Sequence, residues 1–239
     1  MTETGVFAYV GTELDLFANA HNWKSYWSRH IRPFLGARIL DVGAGIGSTA
    51  RLLCGQETVK WVALEPDADL AERIKARIRN GELPPSCEVR VGTIADLSPE
   101  ESFDSILYID VLEHVPDDQA ELDLASRHLS ANGRIVVLSP AHQWLYTAFD
   151  EALGHYRRYS RATLRATTPE SLELDRIFYL DSAGLLASSG NRLVLNSAHP
   201  TEAQLKLWDR VLVPASRILD PLTGYHIGKS IVGVWRKPS

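Results

Sequence analysis

Aromatic and apolar residues recur at helical spacing near the amino terminus of the chain. They are Trp23, Tyr26, Trp27, His30, Ile31 and Phe34. Asn22 precedes this run as a candidate N-cap, and Pro33 and Gly36 are placed to end it. The spacing therefore predicts an amphipathic helix, which we assign to an N-terminal helical cap over residues 1–36.

From Arg38 onward, short apolar runs alternate with helical segments. The runs are RILDV (38–42), VKWVALE (59–65), CEVRV (87–91), FDSILYI (103–109) and RIVVLS (134–139). Between them, Asp67 can cap a helix that ends near Gly81, and a second helix from about Asp118 is expected to bury Leu129 and end near Asn132. Strands that alternate with helices predict a parallel sheet covered on both faces.

This alternation ends after Ser139. Residues 140–159 form a long connection rich in aromatic, His and Arg side chains. Such connections are usually functional or disordered in compact domains, and this composition favours function. A short helix, a strand around residues 171–180, a helical insertion and a last strand near residues 227–235 are expected to follow.

The helical insertion, residues 181–222, is long for a link between two neighbouring strands. Thr201 and Gln204 are spaced as a capping box, which predicts the start of its second helix. Two interpretations remain open. The helices pack on the sheet edge, or they form a cover for a pocket or a contact between two copies of the chain, with the N-terminal helix as the opposite wall.

Length, charge and cysteine content narrow the class of protein. The 239 residues suit one domain, so we assign residues 1–239 to a single unit. A formal net charge of −5 argues against a general nucleic-acid binder and favours a small-molecule partner. Two cysteines without metal-ligand spacing favour a reducing compartment. Without a signal peptide or a run of about 20 apolar residues, we expect a cytoplasmic protein with no stable membrane insertion.

The clearest chemical motif follows the first predicted strand. That strand ends in Asp41, and Gly43, Gly45 and Gly47 follow it, so the backbone can turn tightly and approach a ligand closely. Glu65 closes the second strand, where a carboxylate can accept hydrogen bonds from two ribose hydroxyls. Because ligands of open α/β sheets bind at the carboxyl ends of the strands, these residues predict an adenosine pocket.

Other interpretations of this turn compete with that one. Glycines after a strand can serve the turn alone. A nicotinamide-dependent enzyme would carry G-x-G-x-x-G, but the third small residue is Ser48 here, and Asp41 would repel a pyrophosphate while suiting the ammonium end of an amino-acid ligand. A binding protein without catalysis is a further alternative, which the complete set of glycines and acids disfavours.

Three segments resemble motifs of class I S-adenosylmethionine-dependent methyltransferases. They are ILDVGAGIGSTA (39–50), LEPD (64–67) and FDSILYIDVLEHVPDD (103–118). Two later segments, HQWLYTAFDEALGHYRRYSR and WDRVLVPASRILDPLTGYHIGKSIVGVWRKP, resemble a bacterial subgroup of methyltransferases of types 11 and 12. The resemblance thus covers nearly the whole chain, although this subgroup implies no particular acceptor.

The family resemblance implies a fold and a cofactor. The fold is α/β, with a Rossmann-like, seven-stranded, mostly parallel sheet whose last strand is antiparallel. Residues 37–139 would form the cofactor-binding half, and residues 140–239 the acceptor-side half, which contains the insertion 181–222. S-adenosylmethionine would be the cofactor and S-adenosylhomocysteine its product.

The same resemblance assigns cofactor contacts to residues at or near the ends of the first four strands. The expected set is Asp41, Gly43, Ala44, Gly45, Gly47, Glu65, Pro66, Thr93, Ile94 and Tyr108. One segment departs from the family, because many relatives read G-D-x-x-D-L where this chain reads GTIADL. Either the Thr93 hydroxyl replaces the missing acid, or the backbone near Thr93 and Ile94 suffices while Asp96 caps or braces the loop.

Methyl transfer is an in-line displacement in which the protein aligns donor and acceptor about 3 Å apart and excludes water. An oxygen or nitrogen acceptor can need a base, for which we nominate His155, His142 and His114. The side chains expected to line the acceptor pocket are Tyr146, Tyr156, Arg157 and Tyr159. In the competing interpretation, Asp150 pairs with an arginine and His155 caps a turn, which only holds the loop.

Asp110, Glu113 and His114 leave a metal site as an alternative. In O-methyltransferases similar to those of ubiquinone synthesis, the corresponding positions can hold a divalent ion. We instead expect Glu113 and His114 to order their loop by hydrogen bonding, and we predict no metal.

The predicted function is methyl transfer from S-adenosylmethionine to a small-molecule acceptor, at oxygen in preference to nitrogen or carbon. A natural-product or lipid-linked metabolite as the acceptor, and an NAD-dependent oxidoreductase, are the alternatives. A homodimer is a further expectation.

Overall fold

The computed structural model describes residues 13–194 and 201–239. The predicted N-terminal cap is therefore described from residue 13 onward. Within the predicted insertion, residues 195–200 lie outside the described part of the chain.

Seven strands form one sheet, and their bounds follow the predicted apolar runs closely. They are β1 (Arg38–Val42), β2 (Lys60–Glu65), β3 (Cys87–Val91), β4 (Phe103–Ile109), β5 (Leu129–Pro140), β6 (Glu173–Leu180) and β7 (Ser230–Arg236). The order is β3-β2-β1-β4-β5-β7-β6, in which β1 to β5 pair in parallel and β7 runs antiparallel to both β5 and β6. The predicted Rossmann-like sheet with an antiparallel last strand is confirmed.

Helices cover both faces of this sheet. The helices of the described ranges are α1 (Glu13–Ala18), α2 (His21–Ile31), α3 (Ser48–Leu53), α4 (Ala68–Arg79), α5 (Asp118–Arg127), α6 (Ala148–Ala152), α7 (Arg161–Ala166), α8 (Ser182–Val194), α9 (Glu202–Leu207) and α10 (Val213–Leu222). Asp67 caps α4 through the backbone N–H groups of Asp69 and Leu70, and Thr201 and Gln204 form the predicted capping box of α9. None of the described helices has the length and apolar content needed to cross a bilayer.

Alternate residues of each central strand enter opposite cores. Leu40 and Ile106 lie in the core on one face, whereas Ile39 and Leu107 lie in the core on the other. Because both faces are covered, the strands are nearly continuously apolar, which is the pattern that parallel sheets require.

Two predicted helix boundaries were wrong, the start of α2 and the end of α5. In both cases a contact with a distant residue determines the boundary. Helix α2 begins before Asn22, whose backbone N–H and side-chain amide both donate to Asp209 of the distant insertion. Helix α5 ends at Arg127, because Leu129 already pairs with Phe103 as the first residue of β5. Asn132, with φ of 63°, lies inside that strand.

The N-terminal helix and the insertion pack as one layer beside the sheet. The Asp209 carboxylate also accepts from the backbone N–H of Trp23, at 2.9 Å, so the insertion supplies the cap that α2 lacks. Asp220, which is buried, accepts from the Tyr26 hydroxyl at 2.8 Å and from the backbone N–H of Asp181 at 2.8 Å. These contacts join two segments about 190 residues apart along the chain.

The carboxyl ends of β1, β2, β4 and β5 lie along one edge of the sheet. Because β7 is antiparallel to β5, its first residue lies at that same edge. The glycine turn, the loop after β4, the connection after β5 and both ends of the insertion therefore converge there, which is where open α/β sheets bind ligands.

Candidate active site

The glycine turn after β1 has the shape of a ligand cradle. Gly43 and Gly45 have φ of 63° and 56°, a left-handed conformation that glycine adopts at no steric cost. An added Cβ on Gly43 would lie 2.8 Å from Val111, and one on Gly45 would lie 3.5 Å from Leu14 of α1. The turn therefore faces both the loop after β4 and the N-terminal helix. Gly47, with φ of 77°, then leads into α3, and Ala44 is buried beneath the turn.

Glu65 joins the end of β2 to this turn. Its Oε2 accepts from the backbone N–H of Gly45 at 2.6 Å, and its Oε1 accepts from the backbone N–H of Asp67 at 2.9 Å. Burial raises the pKa of Glu65, although these two backbone hydrogen bonds act against the increase. The carboxylate is thereby fixed beside Pro66 and the turn, in a position that suits the hydroxyls of a ribose.

Asp41 lies beneath the turn and is 1% exposed. Burial raises its pKa to about 8, and the charge of Glu65 raises it further, while Trp61 acts in the opposite direction. Among the described residues, Asp41 Oδ2 has no hydrogen-bond partner. A buried carboxyl oxygen without a partner lacks the compensation that polar atoms normally have, and a ligand ammonium group would supply it.

Lys24, which the sequence pattern did not single out, lies beside the same turn. Its Nζ donates to the Ala18 carbonyl and to the Ser48 hydroxyl, each at 3.2 Å. Burial, with Arg77 and Arg51 nearby, lowers its pKa to about 8, whereas Asp110 acts to raise it. The only local signal was a charge between the buried Trp23 and Tyr26 of an amphipathic helix.

The adenine segment after β3 is held by the brace that the sequence suggested. Asp96 Oδ2 accepts from the backbone N–H of Thr93 at 2.8 Å and from its hydroxyl at 3.0 Å. The Thr93 hydroxyl thus serves the loop, while the Ile94 side chain packs in the core. The Tyr108 side chain is also buried, and its hydroxyl donates to Glu121 at 2.9 Å, so it packs within the fold.

Asp150 organises the connection after β5. Its carboxylate binds the guanidinium of Arg158, with Nε at 2.7 Å and a terminal nitrogen at 3.0 Å, and His155 Nδ1 lies 3.0 Å away. It also caps α6 by accepting from the backbone N–H of Thr147. Although burial acts to raise the pKa of Asp150, its hydrogen bonds with His155 and Arg158 hold this pKa well below its usual value. Both interpretations of the loop therefore have a basis, since the pairing that braces it also orients His155.

The contact between His155 and Asp150 leaves Nε2 as the ring nitrogen available to a substrate. The His155 ring packs edge-on against His114, with 4.6 Å between ring centroids. The neighbouring Asp110, with φ of 54°, is the first residue of the loop that follows β4. Although the Asp110 residue is exposed in part, desolvation raises the pKa of its carboxyl group to about 6, against the lowering effects of His155 and Lys24. Asp110, His155 and Lys24, which come from three different parts of the chain, therefore lie near one another.

The other two candidate histidines have different surroundings. Burial lowers the pKa of His114 to about 4, and His155 lowers it further. His142 Nε2 lies 2.9 Å from the carbonyl of Gly228, and its ring stacks on Tyr179 with 5.0 Å between centroids. Burial also lowers the pKa of His142. Of the three rings, that of His155 alone carries a carboxylate on one nitrogen in the described residues.

Most of the side chains expected to line the acceptor pocket form hydrogen bonds or ion pairs within the protein. The Tyr146 hydroxyl donates to the His155 carbonyl at 2.6 Å, and the buried Tyr159 hydroxyl donates to Asp118 at 2.7 Å. Arg157 forms an ion pair with that same Asp118 at 2.7 Å. Tyr156 is 57% exposed, which leaves its ring accessible.

One cluster could hold a metal ion. Ligand atoms of Glu113, His114 and His155 lie within 4.8 Å of one another, so His155 takes the place that the sequence suggested for Asp110. Glu113 Oε2 accepts from the Ser139 hydroxyl at 2.8 Å, and among the described residues its Oε1 has no partner. Burial and the charge of Asp110 raise the pKa of Glu113 well above its usual value, whereas the hydrogen bond from Ser139 acts against the increase.

Comparisons with known proteins agree with this arrangement. Residues 19–170 match the family model described as a methyltransferase domain. A ubiquinone biosynthesis O-methyltransferase of Rhodopseudomonas palustris (strain HaA2) is 29% identical over 169 residues, which cover 67% of this chain and 63% of that protein. One of the same name from Xylella fastidiosa (strain 9a5c) is 37% identical over 116 residues, 47% of this chain and 45% of that protein. The matched regions thus span less than two thirds of both relatives.

The fold comparison points the same way. A geranyl diphosphate methyltransferase, solved in complex with S-adenosylmethionine, superposes with a TM-score of 0.64 at 16% identity, covering 95% of this chain and 90% of the other. The buried acids and left-handed glycines described above fit the cofactor of such a fold. The chain therefore belongs to the methyltransferase domain family, and its resemblance to the class I S-adenosylmethionine-dependent methyltransferases is confirmed.

Proposed function

We propose that this chain transfers a methyl group from S-adenosylmethionine to an oxygen atom of a small molecule, with His155 as the base. The observation that supports this most directly is the contact between His155 and Asp150 beside Asp110, at the sheet edge that carries the glycine turn. A carboxylate on Nδ1 sets the tautomer and orientation of an imidazole and stabilises its protonated form.

The residues around the turn would hold the donor. Glu65 would accept hydrogen bonds from the ribose, and the backbone of Gly43 and Ala44 would lie along the methionine portion. Lys24 and the ionised form of Asp41 have opposite charges, which would suit the carboxylate and ammonium ends of an amino acid, and a bound ammonium group would favour ionisation of Asp41. The backbone near Thr93 and Ile94 would border the adenine. When bound, S-adenosylmethionine supplies an electrophilic methyl group, and its sulfonium sulfur becomes a neutral thioether once that group has been transferred.

On the acceptor side, His155 Nε2 would take the proton of a hydroxyl group as that oxygen forms its bond to the methyl carbon. Asp150 and Arg158 hold the ring in place, and neither needs to change its protonation state. Tyr156 would line the entrance, while Tyr146 and Arg157 position the loop around it. No metal is required in this scheme, because the base accepts the proton directly.

An oxygen acceptor is favoured because the curated relatives are named O-methyltransferases. A nitrogen or carbon acceptor, including a natural-product or lipid-linked metabolite, is the second candidate, since the same base and donor pocket would serve it. We further propose a cytoplasmic protein that acts on a small molecule and not on nucleic acid, in keeping with its net charge of −5, and that can form a homodimer.

The decisive experiment combines binding with product analysis. Calorimetry with S-adenosylmethionine, S-adenosylhomocysteine and NAD should detect binding of the first two alone. Incubation with hydroxylated, amino and carbon acceptors, followed by mass spectrometry, should show a mass gain of one methylene group in a hydroxylated acceptor. Binding of NAD alone would refute the donor assignment, and methylation of amines alone would refute the oxygen assignment.

A further inference from the structure

Lys229 is the residue immediately before β7 and lies at the edge of the sheet that carries the candidate site. Its backbone N–H donates to the Asp181 carbonyl at 3.0 Å, and its own carbonyl accepts from the Ala141 N–H at 2.8 Å. Ala141 begins the connection that contains His155, and Asp181 begins the insertion. Lys229 therefore lies between the two segments that form the acceptor side.

The ammonium group of Lys229 has no direct polar partner among the described residues. No hydrogen bond or ion pair reaches its Nζ there, although the charges of Asp181 and Asp150 act on it. The Asp181 carboxylate accepts from the Trp208 indole N–H at 2.7 Å and from the Ser216 hydroxyl at 2.8 Å. Burial lowers the pKa of Lys229, the charges of Asp181 and Asp150 act to raise it, and the charge of Arg158 lowers it. The side chain is partly buried, so an anionic ligand that reached Nζ would supply the direct partner that the described residues do not.

An aromatic wall, formed by Trp208, Trp23 and Phe17, lies beside the Lys229 ammonium group. Lys229 Nζ lies 5.5 Å from the centre of the Trp208 ring. Trp208 contacts Trp23 of α2, with 5.7 Å between ring centroids, and Phe17 of α1, with 6.1 Å. Trp208 also begins a π-helical turn, Trp208–Leu212, and such turns are rare and frequent at functional sites. The wall thus comes from both the insertion and the N-terminal helices.

We propose that Lys229 and Trp208 bind an anionic group of the methyl acceptor, a carboxylate or a phosphate, with the aromatic or apolar body of the acceptor along this wall. The inference rests on the proposed function and specifies its substrate class. Arg158 and Asp150, which hold His155, are charged neighbours of Lys229, as is Asp181. An acceptor anchored at Lys229 can therefore present a hydroxyl group toward His155.

The test measures binding without turnover. The enzyme is saturated with S-adenosylhomocysteine and titrated calorimetrically with protocatechuate, with its neutral amide, and with catechol phosphate. We expect the wild type to bind at least one of the two anions about tenfold more tightly than the amide. Lys229→Met should abolish this preference, and Lys229→Arg should retain it. Lys206→Met is the matched control, because Lys206 is exposed and paired with Glu202 at 3.2 Å.

The two anionic probes also distinguish the source of the charge, since a preference for one identifies a carboxylate or a phosphate. The proposal is overturned if neither anion is preferred to the amide, if no probe binds, or if Lys229→Met keeps the preference while only its unfolding temperature falls. In that last case Lys229 merely packs on Trp208. Failure to bind S-adenosylhomocysteine would instead overturn the proposed function, so the two failures are separable.

Discussion

His155 Nδ1 lies 3.0 Å from Asp150 Oδ1, and the same carboxylate binds Arg158 at 2.7 Å. The carboxylate is buried, so its charge is balanced by Arg158 while the imidazole is held in one orientation. A loop that needed only bracing would be served by the ion pair alone. The additional contact with His155 makes this histidine the most informative position to test.

Replacing His155 with Ala should lower kcat by about 100-fold or more while leaving the affinity for S-adenosylmethionine unchanged, because only the proton acceptor is lost. Added imidazole should restore part of the turnover in this variant, which a purely structural defect would not allow. His142→Ala is the comparison, since His142 bonds the Gly228 carbonyl. Loss of turnover in His142→Ala, with His155→Ala active, would reverse the assignment.

Asp41→Asn should separate stability from cofactor binding. The folded pKa of Asp41, about 8, lies above its ordinary value of 3.8, so its contribution to stability is present below pH 3.8 and is lost as the pH rises through 8. The neutral amide should therefore raise the free energy of unfolding at pH 8 by about 1 to 3 kcal/mol, measured in urea. It should also weaken S-adenosylmethionine binding by about 1 to 3 kcal/mol. Unchanged affinity would exclude a role for Asp41 at the ammonium group.

Lys24 should make cofactor affinity depend on pH. Its pKa of about 8 leaves it charged at neutral pH, and it loses that charge as the pH rises above 8. Arg77, Arg51, Asp110 and Asp209 are the charged groups around it. Affinity for S-adenosylmethionine should fall above pH 8 in the wild type more steeply than in Lys24→Arg, which stays charged. This comparison cancels the titration of the ligand itself.

Lys24→Met should lower the affinity at pH 7 by about tenfold. Lys60→Met is a suitable control, since Lys60 lies away from the turn and its Nζ pairs with Glu88 at a distance of 3.3 Å. Identical pH profiles for the wild type and Lys24→Arg would remove Lys24 from the cofactor site.

Metal ions are expected to inhibit turnover and not to activate it. Turnover should survive dialysis against EDTA, because His155 accepts the proton without a metal in the proposed scheme. Zn²⁺ should reduce turnover by competing for the nitrogens of His114 and His155, and EDTA should reverse the effect. Turnover that disappears with EDTA and returns with Mg²⁺ would establish the metal alternative instead.

The sequence by itself determined most of the fold and the donor side. Each strand carries its own apolar run, and Asp67 and Thr201 cap helices that begin beside them in the chain, so local patterns were sufficient. The glycine turn with Asp41 and Glu65 was equally predictable from the sequence, because its conformation requires particular residue types at fixed spacing. The five-residue interval between Asp150 and His155 is also local.

Only the tertiary structure decided which distant side chains meet. Asp209 took the capping role expected of Asn22, and pairing with Phe103 moved Leu129 from a helix into a strand. Lys24 of α2 reaches Ser48 beside the glycine turn, and Lys229 lies over the Trp208 ring, because separate elements pack together. Such contacts depend on the burial of one element against another, and that burial leaves no periodic signal in the segments that it joins.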